Sequence, residues 1–245
     1  QTTAYEMLRS LVGSEMCIRD RNNMETLQFL SPEKRKEIAM ETKEIFVPLA
    51  HKLGMAKLKW ELEDLSLKCL ELRAFNSIKK KIESSSRLNE DILLSTIKPI
   101  KSELNSYKIK SNIFGRYKSI SSIHRKIKSR GKKFEEIYDL YAIRIVVDKI
   151  EECYLALGVI HSIYPPLQDR FKDFIATPKS NGYQSIHTTV LTKDSRLTEF
   201  QIRTKEMDQT AEVGVAAHWL YKGNDKLGEF DSQVQWLRDL LSMLN

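Results

Sequence analysis

Apolar positions recur at helical spacing through the first hundred residues. Ser31 followed by Pro32 and Glu33 has the chemistry of a helix start: a hydroxyl to accept from free N–H groups, a proline that has no N–H to satisfy, and an acid at the positive end of the dipole. Ile38, Ile45, Leu49 and Leu53 continue as one stripe to a break near Gly54. A second helix is expected from about Leu58 to Ile82, carrying Trp60, Leu62, Leu65, Leu67, Leu70 and Leu72. The polar run Ser84 to Arg87 reads as a turn, and a third helix spans about Asn89 to Asn105.

After Lys108 the period changes. Tyr138 to Val147, rich in Ile, Val and Tyr, reads as a buried strand and Glu151 to Tyr164 as a helix. Ile186 to Thr192 and Leu197 to Arg203 read as two strands joined through Asp194 and Ser195. Lys205 to Tyr221 returns to helical spacing, as does the tail from Ser232. There is no internal repeat. The pattern predicts an α+β protein in which an all-helical segment precedes a sheet flanked by helices, with a catalytic-type domain over 108–222. Residues 1–21 match poorly with the helical pattern after them and read as an uncertain leader, possibly non-native; 223–245 reads as a C-terminal helix or linker.

Composition narrows the classes. With 245 residues, 41% apolar and 30% charged, the chain can build one core and part of a second. Nine Gly and six Pro exclude collagen-like and low-complexity chains, and no apolar run approaches the ~18 to 20 residues of a membrane helix. No secretory signal is evident. Cys17, Cys69 and Cys153 are far apart and lack a C-x-x-C or His-pair context, so neither a disulfide framework nor a zinc site is expected and a reducing, cytoplasmic setting is.

The charge is unevenly placed. Lys101 to Lys133 holds eleven basic residues and one acid, so 33 residues carry +10 and the other 212 carry −3 against the total of +7. A local anionic partner is implied: nucleic acid, a membrane surface or nucleotide phosphates. Read as a helix, Lys118, Ser122 and Lys126 share one face and Ile120, Ile123 and Ile127 the other. Two ammonium groups and a hydroxyl beside a helix N-terminus suit a polyphosphate, as they suit an ordinary solvated face or an RNA patch.

Two further constellations carry chemistry. Alternation in Leu197 to Arg203 places Glu199, Gln201 and Arg203 on one face of a strand, a polar row that is costly to bury without a ligand or metal. A carboxylate pair from neighbouring strands, Asp139 and Glu199, would suit Mg2+ bridging to phosphates. Asn181-Gly-Tyr-Gln-Ser-Ile-His187 offers an aromatic ring for stacking a base, with an imidazole four residues on, or equally a core Tyr and a satisfied His.

These residues resemble the synthetase domain of the long RelA/SpoT-type (p)ppGpp synthetases. The resemblance rests on Gly115-Arg-Tyr-Lys118 with Ser122 and Lys126, Ile137-Tyr-Asp-Leu-Tyr-Ala-Ile-Arg144, the run from Arg170 to Thr188, Glu199-Phe-Gln-Ile-Arg-Thr204, and Ala217-His-Trp219 with Tyr221-Lys222. The helical region 22–107, with Phe46-Val-Pro-Leu-Ala-His-Lys-Leu-Gly54 and Lys59-Trp-Glu-Leu-Glu-Asp-Leu65, resembles the end of the family's HD hydrolase domain and its connector.

The resemblance implies pyrophosphate transfer from ATP to the 3′-hydroxyl of GDP or GTP on a nucleotidyltransferase-like mixed sheet. By motif, Arg116 and Arg144 would sandwich adenine, and Lys118, Ser122 and Lys126 would grip the ATP phosphates. Asp139 would bind Mg2+, with Mn2+ as an alternative, and Glu199 would bind metal or help activate the hydroxyl. Tyr183 would stack on guanine, while Lys172, Lys179, Asn181, His187, Gln201 and Arg203 would line the GDP/GTP site. Strict alternation puts Asp139 and Arg144 on opposite strand faces, so Asp139 must precede the regular strand or a bulge must intervene. The HD pair of the hydrolase is missing, so no hydrolase metal site or hydrolysis is expected, although Arg170-Phe-Lys-Asp173 resembles the loop of bifunctional members. Ribosome or tRNA contact is expected only through regulatory domains that lie beyond these motifs, and no membrane contact is. His51, His124, His161, His218, Trp60 and Trp219 read as structural or surface residues. An RNA- or ribosome-binding module and a catalytically silent regulatory fragment are the alternatives.

Overall fold

The computed structural model describes residue 17, residues 19–131, residue 134 and residues 140–214. Asp139, Lys132, Lys133, the Ala217-His-Trp219 motif, Tyr221-Lys222 and the expected tail helix lie outside the described residues.

Helix α1 (Pro32–Glu41) starts where the sequence places it, with the Ser31 hydroxyl accepting from the Lys34 N–H at 3.3 Å. It runs through a π-helical turn at Thr42–Phe46 into α2 (Val47–Lys52), which ends before Gly54. The wider turn shifts the helix phase, so Val47, Leu49 and Ala50 become the buried positions. Cys17 packs in that cluster and Asp20 accepts from the Thr42 hydroxyl at 2.8 Å, so part of the expected leader is built into the core.

Helix α3 (Ala56–Leu70) is followed, after Glu71, by α4 (Leu72–Ser106). The expected turn at Ser84 to Arg87 is absent: α4 passes straight through it. Eleven residues separate Ile82 from Leu93, which is three helical turns plus about 20°, so the apolar face stays in phase across the polar run. Its first half packs Ile78 and Ile82 with Ile123 and Phe134, and its second half packs Leu93, Ile97, Ile100 and Leu104 on the sheet.

The sheet has five strands: β1 (Asn112–Tyr117), β2 (Tyr141–Val147), β3 (Lys172–Asp173), β4 (Ile186–Leu191) and β5 (Leu197–Thr204). Their order is β1-β2-β5-β4-β3, with β2 and β5 parallel and the other pairs antiparallel, so the expected mixed sheet is present. Strand β1 was not expected, because Asn-Ile-Phe-Gly-Arg-Tyr lacks clean alternation; pairing with β2 makes it extended. It ends the supposed helical ridge, since α5 (Ile120–Arg130) starts only after Ser119, and Lys118 lies before the helix rather than on its face. A Cβ at Gly115 would lie 2.6 Å from Leu93 Cδ1, so a larger residue there would make the Leu93 side chain on α4 shift.

Register sorts the two faces. Ile143, Ile145, Phe200, Ile202, Ile186 and Val190 face α4 and α6 (Ile150–Ile163), which contributes Cys153, Ala156, Val159 and Ile160. Arg116, Arg144, Gln201, Arg203 and His187 emerge on the other face, beneath α3 and α7 (Lys205–Val213).

Phe200 is fully buried at the centre of the sheet. Phe200→Ala will destabilise the protein by about 3–5 kcal/mol, measured as a lower midpoint in urea unfolding at unchanged slope.

Candidate active site

The strand register builds the site from one row. Arg144 on β2 is opposite Gln201 on β5, Gln201 is opposite His187 on β4, and His187 is opposite Lys172 on β3. Side chains two residues apart share a face, which adds Glu199 and Arg203 on β5. On β1, Arg116 is opposite the small Ala142.

Glu199 is the centre of the first cluster. Its Oε2 lies 2.9 Å from Lys118 Nζ and its Oε1 lies 3.2 Å from His187 Nδ1, while Gln201 Nε2 donates to Oε1 at 3.4 Å. His187 Nε2 in turn is 2.8 Å from the Tyr183 hydroxyl. Burial would raise the Glu199 carboxyl, but the His187 hydrogen bond and the Lys118 charge outweigh it and hold the group far below the ordinary carboxylate range. The carboxylate is therefore ionised at any physiological pH. The Tyr183–His187–Glu199 chain arises from the parity of β4 and the turn before it, where Gly182 has φ 73° and Asn181 Oδ1 accepts from the Tyr183 N–H.

The second cluster is cationic. Arg203 and Arg144 are 1% and 4% exposed. Asp208 and Glu212, one turn apart on α7, balance them: Arg144 Nη1 reaches Asp208 at 3.1 Å and Glu212 at 2.7 Å, and Arg203 Nε lies 2.7 Å from Asp208, off the line of a good hydrogen bond. Arg144 Nε, Arg203 Nε and Arg203 Nη2 are buried and make no hydrogen bond among the described residues, although Arg203 Nη2 faces Glu212 Oε1 at 3.9 Å. Buried charged donors left open are costly, and their presence here fits a site that takes an anion. Arg116 lies nearby; burial, then the Arg144 charge, pull its guanidinium down to about 10, and it remains charged at neutral pH.

A cavity of about 220 Å³ opens over the arginines and the Tyr183–His187 pair. Arg116, Arg144, Lys179, Asn181, Tyr183, His187, Gln201 and Arg203 all line it. Lys179 Nζ stands 4.5 Å from the Phe174 ring centroid and 5.1 Å from that of Tyr183, and Asn181 Nδ2 donates to the His51 carbonyl at 3.0 Å. Neither Glu199 nor Lys118 borders the cavity; Glu199 touches two of its lining residues, His187 and Gln201. Lys172 is exposed on the edge strand, and neither it, Ser122 nor Lys126 borders the cavity.

The N-terminus of α5 is not open for phosphates: Ile120 and Ser121 N–H groups donate to the two Asp64 oxygens at 3.2 and 2.7 Å, and Ser122 N–H donates to Ser119 Oγ at 3.3 Å. Ser122 Oγ is itself 2.7 Å from Ser119 Oγ. Trp60, read from the sequence as a structural residue, lines the cavity and lies flat under Arg116, with the guanidinium carbon 3.4 Å from its ring centroid. The sequence signal for these helical partners was weak: Trp60 with Asp64, and Asp208 with Glu212, each one helical turn apart.

The donor set suits a hard divalent cation only in part. Glu199 supplies one carboxylate at the site, its Oε2 faces the Lys118 ammonium and its Oε1 the His187 ring, contacts that a metal would displace, and Asp139 lies outside the described residues. Among the described residues no three His, Cys, Asp or Glu side chains cluster as a metal site, and no helix is long and apolar enough to cross a membrane.

Residues 115–226 match the region found in RelA / SpoT proteins. A probable guanosine-3′,5′-bis(diphosphate) 3′-pyrophosphohydrolase of Synechocystis is 47% identical over 90% of this chain and 30% of its own length. A bifunctional (p)ppGpp synthase/hydrolase RelA of Mycobacterium tuberculosis is 44% identical over 90% of this chain and 31% of its own length. The chain thus spans about a third of the curated relatives it matches. Among solved structures, small alarmone synthetase 2 of Bacillus subtilis is 26% identical, with 68% of this chain and 92% of that chain covered at a TM-score of 0.45, a loose overlay.

Glu199 has a depressed folded-state pKa, so its stabilising contribution is present above the unfolded value of about 4.3 and is lost as pH falls further. Glu199→Gln will cost about 2 kcal/mol at pH 7 by leaving Lys118 and His187 uncompensated, and the gap between the two proteins will close in urea titrations below about pH 4.

Proposed function

The chain belongs, through residues 115–226, to the RelA/SpoT proteins, and from that premise we propose that it is an ATP:GTP/GDP 3′-pyrophosphotransferase making (p)ppGpp and AMP, a GTP diphosphokinase. The observation that carries the reading is the buried arginine row with open donors beside an ionised carboxylate on one sheet face.

In the reaction the 3′-oxygen of GDP or GTP forms a bond to the β-phosphorus of ATP. The bond from that phosphorus to the α,β-bridging oxygen breaks, AMP leaves with that oxygen, and the hydroxyl proton passes to solvent. The transition state gathers negative charge on an already anionic chain, so preplaced cations lower the barrier and alignment of the hydroxyl supplies much of the rest. Arg116 and Arg144 take the adenine side, while Lys118 delivers its charge to the phosphates next to Glu199. Ser122 and Lys126 reach the same phosphates only after rearrangement at the start of α5. Tyr183 stacks on guanine, and Lys172, Lys179, Asn181, His187, Gln201 and Arg203 hold the rest of that nucleotide.

Glu199, ionised and weakly basic, suits holding a cation and orienting the hydroxyl better than removing its proton. With Asp139 it would hold Mg2+, which when bound neutralises phosphate charge. The cavity is smaller than the ~300–1,000 Å³ of ordinary ligand sites, so it must widen to hold two nucleotides. The compartment that supplies these substrates to the protein is the cytoplasm.

Incubation with ATP, GDP and Mg2+ will yield ppGpp and AMP in equal amounts by anion-exchange chromatography. Folded protein that makes neither rejects the reading. Asp139→Asn and Glu199→Gln will each lower kcat by at least about 100-fold.

A further inference from the structure

Arg116 is held differently from the other arginines of the site. Arg144 and Arg203 stand on inner strands and are pinned by Asp208 and Glu212. Arg116 stands on β1, the edge strand, with a sheet neighbour on one side only, and that neighbour, Ala142, is too short to hold it. Its guanidinium makes no hydrogen bond or ion pair to the described residues. What it has is the Trp60 indole against one face.

Trp60 comes from α3, outside the residues that match the family region. Four residues on, Asp64 of the same helix accepts the N–H groups of Ile120 and Ser121 and so clamps α3 to the start of α5. Residues four apart share a helix face. One face of α3 therefore anchors the strand–helix segment from Arg116 to Ser122 at both ends, by a cation–π stack and by a helix cap.

We propose that Trp60 is a positioning residue for the ATP side of the site: it supplies the wall that an edge strand lacks and keeps the Arg116 guanidinium flat, with its other face free for a purine. The proposal rests on the assignment of Arg116 to ATP. A guanidinium that is planar, desolvated and held on one side stacks on a base with less loss of freedom, so the benefit appears in ATP affinity and not in GDP affinity.

Steady-state kinetics of Trp60→Ala, Trp60→Leu, Trp60→Phe and Arg116→Ala, each shown folded by its thermal midpoint, test it. Trp60→Ala is expected to raise KM for ATP roughly tenfold while KM for GDP holds, and Trp60→Phe, which keeps an aromatic face, to restore most of the loss. Trp60→Leu fills the volume without the ring and will behave like Trp60→Ala; it carries the test if the alanine variant does not fold. An unchanged or lowered KM for ATP, or an equal rise for both nucleotides, overturns the proposal, a lowered value meaning that the indole competes with the base. An Arg116→Ala variant with normal KM for ATP overturns instead the assignment on which it rests, and an inactive wild type the functional reading as a whole.

Discussion

Keeping three guanidinium groups charged beneath the surface is the constraint on which the rest of this structure depends. Arg116, Arg144 and Arg203 repel one another, and burial removes the water that would screen them. Only helices bringing compensating groups can cover that face. α7 brings Asp208 and Glu212, and α3 brings the indole of Trp60. The sheet face that carries the arginines is thus covered by charge and stacking, whereas the opposite face is covered by Ile, Val and Leu packing against α4 and α6.

The same constraint explains why compensation is incomplete. Two carboxylates answer three cations, and three buried nitrogens on Arg144 and Arg203 make no hydrogen bond among the described residues. A core arginine kept for stability alone would be closed on every side. Glu199 shows the complementary case, a carboxylate flanked by Lys118 and His187 and held ionised. Cationic floor and anionic centre therefore sit side by side, which suits binding phosphate groups next to an ionised carboxylate.

The helical segment before residue 108 belongs to this arrangement and is more than a connector. α4 gives Leu93, Ile97, Ile100 and Leu104 to the core of the sheet, and Leu93 packs close over Gly115 of β1. α3 contributes Asp64 to the start of α5 and Trp60 to the cavity. The segment carrying +10 is accordingly split: Arg116 and Lys118 turn inward to stack and pair, while Lys128 stays outside in a surface pair with Glu71.

Periodicity alone was enough to determine the start of α1 and the spans of α6, β2, β4 and β5 to within a few residues, because each buries one apolar face and its local pattern agrees with its environment. Alternation in Leu197 to Arg203 likewise determined the polar row, and the motifs named the family. Tertiary structure decided what local pattern could not. Strand β1 exists because β2 offers it a ladder, the polar run at Ser84 stays helical because its flanks remain in phase, and the helix N-terminus expected to meet phosphate is already capped by Asp64. Trp60, Asp64, Asp208 and Glu212 were invisible as site residues because their partners lie dozens of residues away, and a side chain's role at such a distance depends on which strand and which face the fold brings to it.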